Sequence, residues 1–74
     1  MFSISLRNAD DRTRSYSISS LGNAGWEVKL EQEGELTRHV YYHDWHRVER
    51  VLALFQLEVS NLTEHGWRET QPVP

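Results

Sequence analysis

The sequence has no cysteine, two prolines among 74 residues, and no long apolar run. Without cysteine there is neither a disulfide framework nor a thiolate metal site. Small secreted domains usually depend on disulfides, so the composition favours the reducing cytosol. Residues 1–7 form neither a basic leader nor a signal-peptide core, and no segment reaches the roughly 18 apolar residues of a membrane span. We therefore expect a cytoplasmic protein with no membrane association.

Positive charge is also scarce, since eight Lys and Arg face eleven Asp and Glu, for a net charge of -3. Strong nonspecific binding to nucleic acid needs several cations facing phosphates, so the overall charge argues against it. The charge is unevenly distributed, however. Residues 22–37 are acidic, whereas residues 38–50 carry three arginines and three histidines against one aspartate and one glutamate. One end of the fold is therefore expected to be more basic than the rest.

The chain is too short for a fold with two lobes and a cleft between them. A domain of this size buries only around 60% of its unfolded surface, so it holds one thin core. Serine, histidine and aspartate are all present, but no nucleophile elbow or glycine-rich loop fixes them in a catalytic arrangement. We therefore expect no enzymatic activity and no cofactor.

Apolar and polar residues alternate through the first two thirds of the chain, most clearly over residues 2–6, 16–18, 26–30 and 36–42. Strict alternation indicates strands with one buried and one solvent-facing side. Polar or glycine-marked segments at residues 8–13, 21–25 and 32–35 separate the strands, which favours an antiparallel meander. Arg38 interrupts the pattern by taking an inward position, and we expect it near a sheet edge with its charged end in water.

The period changes after residue 43, where apolar residues recur at the spacing of one helix face. Asp44 is a suitable N-cap, and Gly66 and Trp67 fit the two positions that follow the end of a helix in a Schellman motif. The predicted inward set is Phe2, Ile4, Leu6, Tyr16, Ile18, Trp26, Val28, Leu30, Leu36, Val40, Tyr42, the helix residues Val48, Val51, Leu52, Phe55, Val59 and Leu62, and Trp67.

These patterns together predict an α+β fold of the order β-β-β-β-α. Three or four antiparallel strands form a meander, and one long C-terminal helix packs on one face of it. Residues 1–67 make a single domain, and residues 68–74, which contain both prolines, are expected to form a flexible tail.

The helix also carries apolar residues away from its core-facing stripe. Leu54 and Leu57 fall on the opposite side of the helical wheel. With their neighbours they form a candidate partner interface, most simply a homodimer interface: Arg50, Ala53, Leu54, Leu57 and Asn61.

A second candidate surface is basic and aromatic and lies where the last strand of the meander meets the helix. Arginine and aromatic side chains can hold phosphates and stack the bases of single strands. This nucleic-acid or anion patch comprises Arg38, His39, Tyr41, His43, His46 and Arg47. Its three histidines could also be metal ligands, but their spacing is that of no recognised zinc site, and we predict no metal.

Residues 55–67 resemble the end of the helix in WGR domains, a nucleic-acid-associated module. Phe55, Val59, Thr63, Gly66 and Trp67 carry this resemblance at their spacings. The tryptophan-glycine-arginine signature of that family is missing, so the resemblance implies nucleic acid only as an alternative partner. The sequence thus favours a small cytosolic interaction module that self-associates through the outer helix face or the sheet, with single-stranded nucleic-acid binding as the alternative.

Overall fold

The structure is a computed structural model that describes residues 2–70. It contains five strands and one long helix, which confirms the predicted α+β class. The elements are β1 (Phe2–Arg7), β2 (Thr13–Ser20), β3 (Trp26–Gln32), β4 (Glu35–Tyr42), α1 (Trp45–Glu64) and β5 (Arg68–Thr70), with a short 3-10 turn at Gly22–Ala24 between β2 and β3.

All neighbouring strands pair antiparallel, in the spatial order β4-β3-β2-β1-β5. The first four strands form the predicted meander. The chain then crosses the sheet as α1 and returns beside β1, where Arg68, Glu69 and Thr70 pair with Arg7, Leu6 and Ser5. The prediction of three or four strands was therefore wrong by one, because three residues are too few to show an alternating pattern. Residues 71–74 of the predicted tail lie outside the described residues.

The strand register places the apolar residues of the sheet on one face. Ile4 lies opposite Tyr16, and Ile18 lies opposite Val28. This face packs against α1, with the Tyr16 and Phe55 ring centroids 4.9 Å apart. The buried core is Leu6, Tyr16, Ile18, Val28, Val48, Val51 and Phe55, and Phe2, Ile4, Trp26, Leu30, Tyr42, Leu52, Val59, Leu62 and Trp67 pack around it.

Two predicted inward residues are not part of this core: Val40 lies on the helix-bearing face opposite Val28, whereas Leu36 lies on the other face. The β3–β4 register shifts so that Leu30 pairs with Arg38 while Glu31 pairs with Leu36, which leaves Thr37 as an extra residue. A β-bulge of this kind turns the residues beyond it to the other side of the sheet. Leu36 consequently shares the polar face with Glu31 and is 49% exposed. Arg38 keeps its inward position on the edge strand β4, with its charged end exposed as expected.

Both predicted caps of α1 are confirmed by their hydrogen bonds. The Asp44 carboxylate accepts from the backbone N–H of His46 at 3.0 Å. At the other end, Trp67 N–H donates to the Leu62 carbonyl at 3.0 Å and Gly66 N–H to the Thr63 carbonyl at 3.3 Å, the two bonds of a Schellman motif. The helix thus begins and ends where its side chains and backbone can satisfy the unpaired polar groups.

Candidate functional site

The outer helix face, defined as Arg50, Ala53, Leu54, Leu57 and Asn61, lies opposite the buried stripe of α1. All five residues are exposed. The two leucines are the most exposed large apolar side chains of α1, at 54% for Leu54 and 68% for Leu57. Two adjacent leucines on a helix that already buries its other side form a small apolar strip in contact with water.

Charge is graded along this side of α1. His46, Arg47 and Arg50 lie on its N-terminal half together with Glu49, and Glu58 and Glu64 lie on its C-terminal half. The leucine strip therefore sits between a basic half and an acidic end. A second helix would complement this gradient only if it ran in the opposite direction.

The predicted nucleic-acid patch is divided by the structure. In a strand, consecutive side chains alternate between the two faces. Arg38 pairs with Leu30 on the helix-bearing face, whereas His39 and Tyr41 pair with Lys29 and Glu27 on the polar face. His43 lies in the turn that precedes α1, and His46 and Arg47 lie in its first turn. Arg38 is thus separated from His39 and Tyr41 by the thickness of the sheet.

Part of the patch does come together at the corner between β4 and α1. Tyr41, His43 and Arg47 line an open cleft of ≈ 310 Å³ with Tyr42 and Asp44. We call this the corner cleft. Its aromatic rings and one arginine suit a base and a phosphate, but the Asp44 carboxylate adds a negative charge to the same lining.

On the polar face, Glu27 lies beside His39 and Tyr41 of the predicted patch and beside Lys29, which is not part of that patch. Its carboxylate lies 2.8 Å from His39 Nε2 and 3.5 Å from Lys29 Nζ. The hydrogen bond with His39 is the main reason that the pKa of Glu27 lies below its ordinary value. Hydrogen bonding to Glu27 in turn raises the pKa of the Tyr41 phenol. The centre of this face is therefore close to neutral and offers little attraction to a polyanion.

The three histidines of the patch do not converge. His39 belongs to β4 and contacts Glu27, His43 precedes the helix, and His46 lies within it. Within residues 2–70, no three His, Cys, Asp or Glu side chains are arranged to hold a metal ion.

A second open cleft lies beside the paired ends of β1 and β5, and the sequence did not predict it because residues 68–70 were assigned to the tail. The cleft measures ≈ 390 Å³ and is lined by Arg7, Asn8, Ala9, Gly66, Arg68 and Thr70. We call it the two-arginine cleft. It brings the end of the first strand next to the last described strand, a proximity that no local sequence pattern could signal.

Comparison of the chain with protein-family models, curated proteins and solved structures finds no match. The described part of the chain also has no helix with the length and apolar character needed to cross a bilayer. Function is therefore inferred from the three surfaces above.

Proposed function

We propose that the protein is a small cytosolic interaction module without enzymatic activity, and that it forms a homodimer through the outer helix face. The exposure of Leu54 and Leu57, at 54% and 68%, carries this proposal. Their burial against a second copy would remove apolar surface from water, at roughly 25 cal/mol for each Å². No residue of the core would need to move.

A two-fold axis between Leu54 and Leu57 makes this face complementary to itself. In an antiparallel helix pair about that axis, Leu54 of one copy lies opposite Leu57 of the other. Arg50 then faces Asn61 of the partner copy, and Arg47 approaches its Glu64. The basic half of each helix thus meets the more acidic end of the other, as an isologous interface requires.

The size of the face sets the expected strength of the dimer. The helix has 20 residues, which at 1.5 Å for each residue is about 30 Å. One helix face of this length is at or below the roughly 1,200 Å² of total buried area at the low end of stable interfaces. We expect a concentration-dependent dimer with a Kd on the order of micromolar.

The test is the mass of the parent protein, Leu54→Asp and Leu36→Asp, measured by sedimentation over a range of concentrations. Leu36 is the matched control because it is a similarly exposed leucine, 49% accessible, on the polar side of the edge strand. We expect the parent and Leu36→Asp to dimerise and Leu54→Asp to remain monomeric. A monomeric parent would refute the proposal, and dimer loss in Leu36→Asp alone would move the interface to the sheet edge.

The corner cleft supports a second candidate function, the binding of single-stranded nucleic acid. Tyr41, His43 and Arg47 line this cleft together, and aromatic stacking contributes about 1–3 kcal/mol for each base at such sites. Titration of a labelled oligonucleotide at low salt tests it. Binding should weaken as salt rises and should weaken in Arg47→Gln. An unchanged anisotropy at high protein concentration would exclude this function.

A further inference from the structure

Two arginines lie directly opposite each other where the sheet ends. Arg7 of β1 pairs with Arg68 of β5, so both side chains project from the polar face. Like charges at directly opposed strand positions destabilise a sheet. Within residues 2–70 Arg68 makes no ion pair, and Arg7 makes one, from Nε to the exposed Asp11 carboxylate at 3.4 Å. The fold therefore places two positive charges side by side, and of these only Arg7 has a carboxylate partner among the described residues.

The lining of the two-arginine cleft adds a further donor and no carboxylate. Asn8 Oδ1 accepts from the backbone N–H groups of Asp10, at 3.0 Å, and Arg12, at 2.9 Å. These two bonds occupy the oxygen of the Asn8 amide and leave its NH₂ group as the available end, which can only donate. None of the six lining residues is acidic. Every charged group that lines the cleft therefore favours an anion.

We propose that the two-arginine cleft binds a phosphate monoester dianion, with Arg7 and Arg68 on the phosphate oxygens and Asn8 as an additional donor. Two guanidinium groups match the charge of a dianion better than that of a carboxylate or a phosphodiester, and each can present two parallel N–H groups to phosphate. Ala9 and the aliphatic stems of the arginines leave an apolar wall for the ester group. The Asp11 contact of Arg7 is solvent-exposed and so competes only weakly.

The test is an NMR titration of the full chain with O-phosphoserine, inorganic phosphate, acetate and a single-stranded oligonucleotide at constant ionic strength. Phosphoserine should shift the Nε–H signals of Arg7 and Arg68 saturably, with half-saturation on the order of 1 mM. Inorganic phosphate should bind at the same signals, and acetate should not saturate. If the oligonucleotide shifts these two signals at lower concentration than phosphoserine, the monoester assignment is wrong.

Arg68→Gln and Arg12→Gln form the matched pair of variants. Arg12 is an exposed arginine of the β1–β2 loop, whose Nε lies 3.9 Å from the Glu33 carboxylate, and it does not line the cleft. We expect Arg68→Gln to weaken phosphoserine binding by about tenfold or more, since a charged hydrogen-bond donor is lost, and Arg12→Gln to bind as the parent does. Arg7→Gln repeats the test should Arg68→Gln not fold. The absence of saturable shifts in the parent, or equal weakening in both variants, would overturn the proposal.

Discussion

At the scale of single residues, the burial of Tyr16 has one stabilising and one destabilising effect on the core. It is the largest fully buried side chain, and its ring meets that of Phe55 edge-on. Its hydroxyl oxygen is also buried, yet it has no hydrogen-bond partner among the described residues. Burial raises the pKa of the phenol, the nearby Glu58 carboxylate raises it further and the Arg14 guanidinium lowers it, although neither group is placed to form a hydrogen bond with the hydroxyl. The ring stabilises the core, whereas the desolvated hydroxyl destabilises it.

Tyr16→Phe should therefore be neutral or stabilising. It removes the unpaired hydroxyl and keeps the ring, so we expect the free energy of unfolding to rise by up to about 1 kcal/mol. Tyr16→Ala removes the ring as well and should lower it by about 3–5 kcal/mol. Urea denaturation measures both. A loss of more than about 1 kcal/mol in Tyr16→Phe would show that the hydroxyl has a stabilising partner.

The pH dependence of the same pair provides a control. The pKa of Tyr16 is higher in the folded protein than its ordinary value of 10.0. The unfolded chain therefore loses this proton first as pH rises. The free energy of unfolding of the parent protein consequently falls from about pH 10 upward. Below that pH the phenol is neutral in both states. The stability difference between Tyr16→Phe and the parent should accordingly be constant below pH 10 and grow in favour of the variant above it.

At the scale of elements, periodicity predicted the type of each long segment correctly, and the caps predicted both ends of α1. Periodicity predicted the wrong face for Leu36, because a bulge inserts a residue without altering the composition of the strand. Counting along β4 preserves the parity of Leu36 and Val40, but the hydrogen-bonded register does not, since it skips Thr37. A local sequence pattern can predict the type and period of an element, whereas the position of a bulge depends on how two strands pair.

Two glycines at the ends of elements both have a positive φ, but their surroundings differ. Gly25 has φ 102° and Gly66 has φ 95°, both in the region that L-residues avoid. A Cβ on Gly66 would meet nothing within 4 Å, whereas a Cβ on Gly25 would lie 2.3 Å from the Tyr42 carbonyl oxygen. That oxygen belongs to the last residue of β4, which pairs with Trp26 at the start of β3.

Gly66→Ala should therefore cost only the conformational penalty, about 1–2 kcal/mol. Gly25→Ala should cost clearly more, because a paired backbone carbonyl cannot move away as a flexible side chain could. Thermal or urea unfolding of the two variants measures the difference. Equal destabilisation would mean that the β4–α1 corner adjusts freely. The same result would indicate that the neighbouring corner cleft has no fixed shape.

At the scale of the whole molecule, the two sheet edges differ. The β4 edge carries a bulge and the inward-pointing Arg38, and both features discourage pairing with another strand. On the other side, β5 covers residues 5–7 of β1. This covering also creates the two-arginine cleft, so the site depends on contact between the first and last described strands. Of the candidate surfaces, the outer helix face could be located in full from the sequence, because all its residues belong to one helix, whereas the corner cleft could be located only in part.

The role of β5 can be tested by comparing a chain that ends at Trp67 with one that ends at Thr70. The shorter chain retains both Schellman bonds of α1 but loses the pairing of β5 with β1, including the bond from the Thr70 hydroxyl to the Ser5 carbonyl at 3.2 Å. We expect it to lose about 1–2 kcal/mol of stability, the sum of a few cross-strand pairs.

Amide hydrogen exchange distinguishes this edge effect from general destabilisation. In the shorter chain, exchange should accelerate most at residues 5–7 of β1, while the helix core around Val51 and Phe55 changes only with global stability. The newly exposed β1 edge should also promote aggregation that Leu54→Asp does not relieve, since an open strand edge is a template for pairing. Unchanged exchange at residues 5–7 would show that β5 does not protect β1. Because β5 supplies Arg68 and Thr70 to the two-arginine cleft, that result would also mean that the cleft has no fixed wall on the β5 side. Anion binding in the cleft therefore depends on the stability of this sheet edge.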